Sequence, residues 1–150
     1  MAQTHVSIYL HIVFSTKNRF AFITPEIEAE LFAYIGGILN NFNCKLIAAN
    51  GTGDHIHLLV SLDKNVQIPN LVGTIKREST KWVRPKSSML AKFAWQDGYS
   101  AFSVGHTQIP AVKEYIANQK ANHALKLFQD EMRSFYKKYE IEFDEEYVWG

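Results

Sequence analysis

"CKLIAANGTGDHIHLLVSL", residues 44 to 62, holds two short apolar runs separated by Asn50-Gly51-Thr52-Gly53. Each run has the length of a strand, and Asn-Gly readily adopts the positive φ angles of a tight reversal. The stretch therefore predicts two antiparallel strands joined as a hairpin. Side chains alternate between the two faces of a strand, so His55, His57 and Leu59 share one face while Ile56, Leu58 and Val60 share the other. Both imidazoles point the same way. Such a pair alone suits two hydrogen-bonded strand histidines as well as a metal site.

Upstream, "HVSIYLHIVFS", residues 5 to 15, alternates Val6, Ile8, Leu10, Ile12 and Phe14 with His5, Ser7, Tyr9, His11 and Val13, the pattern of a long strand. Thr24-Pro25 then caps a helix in which Ile27, Leu31, Ile35, Ile38 and Phe42 recur at helical spacing. Downstream of the hairpin, Pro69 opens a second helix with Ile68, Leu71, Val72, Ile75 and Trp82 facing inward and Lys76, Lys81 and Arg84 outward or at the edge. "KFAWQDGYSAFSVG", residues 92 to 105, reads as a fourth extended region. The order β-α-β-β-α-β predicts an α+β fold: a ferredoxin-like, split βαβ antiparallel sheet with helices on one face.

Past that unit, residues 109 to 139 are helical in pattern from Pro110, with a break expected near Asn122. The second half places Leu125, Phe128, Met132, Phe135 and Tyr139 on one apolar face, suited to covering the core or docking on another subunit. In the first half Tyr115 and Gln119 are four residues apart and project from one helix face. The 150 residues read as one domain without internal repeats, long enough to bury a core without disulfides.

The net charge of +1 conceals an uneven distribution. Five of the 15 acids fall in residues 140 to 150, which leaves residues 1 to 139 at +6. "KRESTKWVRPK", residues 76 to 86, carries five cations and one acid. Local basicity of this kind suits a phosphate-bearing partner, and it also suits an ordinary solvated helix face. Cys44 is a lone cysteine, which predicts a free core thiol and fits a reducing cytoplasm. The opening "MAQTHVSIYLHIVF" has neither a basic leader nor a long apolar run, so a cytoplasmic protein without a membrane span is expected.

Two strand histidines facing one way, followed by Tyr-x-x-x-Gln on a helix, resemble the single-tyrosine HUH transposases of the simplest insertion sequences, the IS200-like group. The matching residues are His55-Ile56-His57 and "VKEYIANQ", residues 112 to 119, with further likeness in "STKNR", "IKREST", "WQDGYSAFSV" and "NQKANH". Where relatives often carry paired histidines after the glutamine, this chain has Asn122-His123. The resemblance implies Tyr115 as nucleophile on an additional C-terminal helix, with His55, His57 and Gln119 as ligands of Mg2+ or Mn2+ and no nucleotide cofactor. It also implies hairpin-forming single-stranded DNA as substrate, and a homodimer whose subunits share active sites.

The chemistry agrees. A phosphodiester is anionic and repels nucleophiles, so cleavage needs charge neutralisation and a positioned attacker. Tyrosine titrates near pH ~10 and must lose its proton during attack. Lys17, Arg19, Lys76, Arg77, Lys81 and Arg84 are candidate phosphate contacts, while Trp82, Trp95, Tyr99 and Phe102 suit either base stacking or the core. Three other functions fit parts of the pattern: a domesticated relative processing palindromic repeats, a noncatalytic single-stranded nucleic-acid binding module, and a metal-dependent hydrolase using water.

Overall fold

The structure, a computed structural model, describes residues 2–123 and 126–150. Leu125 lies outside them. Four strands, β1 (Tyr9–Ser15), β2 (Lys45–Thr52), β3 (His55–Ser61) and β4 (Ser100–Val104), form one antiparallel sheet in the order β2-β3-β1-β4. With α1 (Pro25–Asn41) after β1 and α2 (Ile68–Val83) after β3, this is the split βαβ topology.

The alternation sorts the core into two layers. Leu10, Ile12 and Phe14 of β1 and Ile56, Leu58 and Val60 of β3 bury against Ile27, Leu31 and Ile35 of α1 and Leu71, Val72 and Ile75 of α2. The opposite face carries His11, Val13, His55, His57, Leu59, Phe102 and Val104. Three further helices cover it: α3 (Ile109–Ala117), α4 (Gln119–His123) and α5 (Phe128–Lys138). The apolar stripe of α5, with Phe128, Met132 and Tyr136, packs on Val13 and Phe102 of its own sheet.

Several boundaries differ from the sequence expectation. β1 begins at Tyr9 rather than His5, because Tyr9 pairs with Ser61 and Val104, where both neighbouring strands end. Val6 and Ile8 are left 43% exposed. Thr52 pairs with His55, so the hairpin reverses at Gly53-Asp54 and not at Asn50-Gly51, and no described glycine has positive φ. Gly51 is needed for space instead: a Cβ there would collide with the His55 carbonyl oxygen. In the fourth extended region only Ser100–Val104 is a strand; Trp95 makes a single bridge to Thr16 before the chain turns out at Asp97-Gly98. The helical stretch is interrupted near Asn122 as expected, α4 ending at His123 and α5 starting at Phe128, and it has an additional break at Asn118, whose amide donates to the Glu114 and Tyr115 carbonyls.

The acidic end packs. Arg133 makes a forked pair with Glu145, the Trp149 indole donates to the same carboxylate, and the Gly150 carbonyl accepts from the Gly98 amide and the Gln96 side chain. Cys44 is buried and free. Among the described residues no helix is long and apolar enough to cross a membrane.

Candidate active site

β3 delivers His55 and His57, both fully buried, to the sheet face under α3, α4 and α5. Each ring is fixed from behind. The Asp54 carboxylate can only accept, so the 2.7 Å contact with His55 Nδ1 places a proton on that nitrogen, and Thr52 Oγ1 donates to the same oxygen at 2.8 Å. His57 Nδ1 lies 2.7 Å from Nε2 of His11, a β1 residue that is itself buried. A partner on Nδ1 is how a metal-ligating histidine is usually oriented, with Nε2 turned to the cation.

The Nε2 atoms of His55 and His57 converge on α5. His57 Nε2 is 3.1 Å and His123 Nε2 3.0 Å from Glu131 Oε1, with His55 Nε2 at 3.7 Å. Gln119 bridges the group: its Oε1 is 3.2 Å from His55 Nε2, and its Nε2 donates to Glu131 Oε2 at 3.0 Å. The Tyr115 hydroxyl donates to that same Oε2. Tyr115 and Gln119 share a face as expected, although the Asn118 break puts them on consecutive helices. Asn50 of β2 anchors this break by donating to the Ile116 and Ala117 carbonyls, and Lys120 ties α4 back to Asn50 and Glu28.

Burial and hydrogen bonding set the charges. Desolvation pushes the Tyr115 phenol well above its ordinary range, reinforced by the bond and negative charge of Glu131, so it rests protonated. Burial alone would raise the Glu131 carboxyl, but hydrogen bonds from His123 and His57 and the Tyr115 bond hold it far below the usual range. Desolvation pushes His57 down to about 4 against the opposing pull of Glu131. His123, which burial would lower, is instead raised by its bond to Glu131.

The donor set fits a divalent cation. His55, His57, His123 and Glu131 each offer one ligand atom, and these atoms all lie within 4.8 Å of one another. With the Gln119 amide oxygen they make a nitrogen and oxygen site of the kind borderline divalent metals take. Tyr115, Asn122, His123, Lys126 and Glu131 line an open cavity of about 520 Å³ that reaches this cluster from solvent.

The anticipated phosphate contacts are dispersed. α2 covers the sheet face opposite the histidines. Lys76 turns inward and donates to the Gln96, Asp97 and Gly98 carbonyls, and burial lowers it to about 8. Arg84 donates to the Phe93 carbonyl, Arg19 to the Trp149 carbonyl, and Lys17 pairs with Asp97. Arg77 and Lys81 extend into solvent beside a groove of about 540 Å³. Of the aromatic candidates, Trp95 and Phe102 are core, Trp82 stacks on Tyr34, and Tyr99 is exposed.

The family "Transposase IS200 like" matches residues 4–119. The chain belongs to this family. Among solved structures, this IS200-like transposase resembles a protein of Deinococcus radiodurans R1 described as a transposase. The two share 21% identity at a TM-score of 0.62, over 79% of this chain and 98% of the other. It also resembles a REP-associated tyrosine transposase bound to a REP hairpin, at 13% identity and a TM-score of 0.62, over 82% and 73% of the two chains. At these identities the likeness establishes the fold, the α+β arrangement read from the sequence. No curated protein matches the chain significantly.

Glu131, His11 and Asp54 were not anticipated, although two left a trace. Glu131 occupies an inward position on α5, three residues after Phe128 and four before Phe135, where an acid is out of place unless paired. His11 falls on the β1 face that also carries Val13.

His11 also yields a pH prediction. Desolvation, with the nearby His57, depresses it to about 3 despite the Glu131 charge. A histidine depressed in the folded state contributes stability above its unfolded pKa of ~6.5 and loses it as pH falls toward 3, so His11 should cost about 2 kcal/mol between pH 7 and 5. In urea unfolding with chelator present, His11→Gln should lose about that much less stability over the interval than the parent. An identical loss in both proteins would refute the assignment.

Proposed function

We propose that this transposase is a metal-dependent endonuclease and strand transferase that cleaves and rejoins single-stranded DNA to excise and insert a mobile element. Tyr115 is the nucleophile, and His55, His57 and Gln119 hold Mg2+ or Mn2+. The reading rests on one observation: the Tyr115 hydroxyl, the Nε2 atoms of His57 and His123, and the Gln119 amide meet on a single buried carboxylate at the mouth of a cavity.

The Tyr115 oxygen attacks the phosphorus, and the P–O3′ bond breaks. The proton leaving Tyr115 has Glu131 as its nearest acceptor, and the departing O3′ takes up a proton to become a free 3′ hydroxyl. The phosphate remains on Tyr115 as a 5′-phosphotyrosine. His55, His57 and Gln119 would hold a divalent cation, which would supply neutralisation of the phosphate charge. Because the new ester keeps the bond energy, a second 3′ hydroxyl reverses the step on another strand, and no nucleotide cofactor is required. Labelled single-stranded DNA incubated with and without Mn2+ tests this: a metal-dependent, protein-linked band should survive denaturing electrophoresis. A noncatalytic binding module, or a hydrolase using water, predicts none.

The hairpin-bound neighbour supports a folded, hairpin-bearing substrate, and it equally favours a domesticated role on palindromic repeats. In this reading Arg77 and Lys81 contact phosphates directly, while Lys17, Arg19, Lys76 and Arg84 contribute to the field around the loops they brace.

The proposal includes a cytoplasmic homodimer, since joining two ends takes two tyrosines. Within one chain Tyr115 and Gln119 meet the histidine cluster, which supports sites assembled in cis, and the break at Asn118 is the point from which α3 could be exchanged to give sites shared between subunits. Mixing a Tyr115→Phe subunit with a His55→Ala, His57→Ala subunit separates the two arrangements. Cleavage restored upon verified subunit exchange requires a trans site; an inactive mixture requires cis sites.

A further inference from the structure

We propose that Glu131 of α5 is an anionic ligand of the divalent cation, binding through Oε1 while Oε2 holds the Tyr115 hydroxyl, and that the enlarged site prefers Mn2+ and other transition ions to Mg2+. This rests on the metal-dependent reading above and adds to it a ligand outside the His-x-His and Tyr-x-x-x-Gln motifs.

Three observations carry it. Glu131 is only 3% exposed, so its negative charge must be compensated locally. Among the described residues no lysine or arginine is one of its polar contacts, which are His57, His123, Gln119 and Tyr115, with His55 slightly farther off. Imidazole nitrogens and an amide are the groups that surround a carboxylate when all of them face one cation. Second, the two carboxylate oxygens divide their work: Oε1 faces the three imidazole Nε2 atoms, and Oε2 faces Tyr115 and Gln119. Third, the other described polar partners of these rings lie behind them, on Nδ1 of His55 and His57, leaving Nε2 directed inward.

Selectivity follows from donor type. Mg2+ favours an oxygen shell and retains several waters, whereas imidazole-rich sites with one carboxylate suit Mn2+, Zn2+ and their neighbours. His55, His57 and Gln119 alone bring no net charge; Glu131 adds one negative charge to three imidazoles and an amide.

The test measures metal binding without DNA. Mn2+ affinity is read from the loss of the free-ion EPR signal and by calorimetry, with Mg2+ as competitor, in the parent, Glu131→Gln, Glu131→Asp and Tyr115→Phe, each shown to be folded by circular dichroism in EDTA. Mn2+ should outcompete Mg2+ in the parent, and Glu131→Gln should weaken Mn2+ at least ten-fold, with Tyr115→Phe close to parental. Should Glu131→Gln not fold, Glu131→Asp keeps the charge but withdraws the oxygens by one methylene, and should weaken Mn2+ in the same direction. Unchanged affinity in a folded Glu131 variant would overturn the proposal, and so would tighter binding, which would make Glu131 an occupant competing with the ion. If the parent binds no Mn2+, the metal-dependent reading itself fails.

Discussion

Replacing Tyr115 by Phe is expected to eliminate the protein–DNA adduct, lowering cleavage at least about a thousand-fold, because in the proposed mechanism it deletes the oxygen that becomes the phosphotyrosine ester. The structure predicts that little else changes. The ring keeps its edge contacts with His11, His57 and Phe135, and Glu131 keeps its bonds to His57, His123 and Gln119. Loss of one hydrogen bond to a buried carboxylate costs about 1–3 kcal/mol. The variant should therefore fold, and should bind single-stranded DNA with an affinity near the parent's, measured by fluorescence anisotropy in Mn2+. Normal cleavage by this variant would remove Tyr115 from the mechanism. Cleavage lost together with DNA binding would show that the phenol serves recognition.

The sheet was legible because alternation of apolar residues is a local property. The same period that put Ile56, Leu58 and Val60 under α1 and α2 put His55 and His57 together on the other face. What alternation does not encode is where a neighbour stops: β1 loses four residues at its start because β3 and β4 end at Ser61 and Val104. The site was legible to the same depth. His-x-His and Tyr-x-x-x-Gln are short-range spacings that survive even the Asn118 break. Glu131 and His11 reach the cluster through tertiary packing, over sequence separations of 74 and 46 residues from His57. The basic run of residues 76 to 86 suits a phosphate-bearing partner or a solvated helix face, yet only part of it faces solvent, because the 93–98 segment has no described strand partner beyond the Trp95 bridge and uses Lys76 and Arg84 to satisfy its carbonyls.

His55→Ala and His57→Ala should each abolish the metal-dependent part of stability. Both rings are fully buried, so truncation also costs a cavity and orphans partners: His57→Ala leaves His11 and Glu131 each one contact short, and His55→Ala leaves Asp54 with Thr52 alone. A baseline loss of about 2–5 kcal/mol is expected from that alone, with or without metal. The informative quantity is therefore the increment on adding Mn2+. A ligand that binds only the folded state at a hundred times its Kd stabilises by about 2.7 kcal/mol, and an increment of this kind is independent of the baseline. The parent should show such a rise by thermal or urea unfolding, and both histidine variants should lack it. Gln119→Ala should retain part of it, since an amide oxygen is the weaker donor and Gln119 removes one ligand without uncovering a ring. If both histidine variants kept the full increment, the cation would bind elsewhere, and the convergence of Nε2 atoms on Glu131 would be a hydrogen-bonded cluster holding α5 to the sheet.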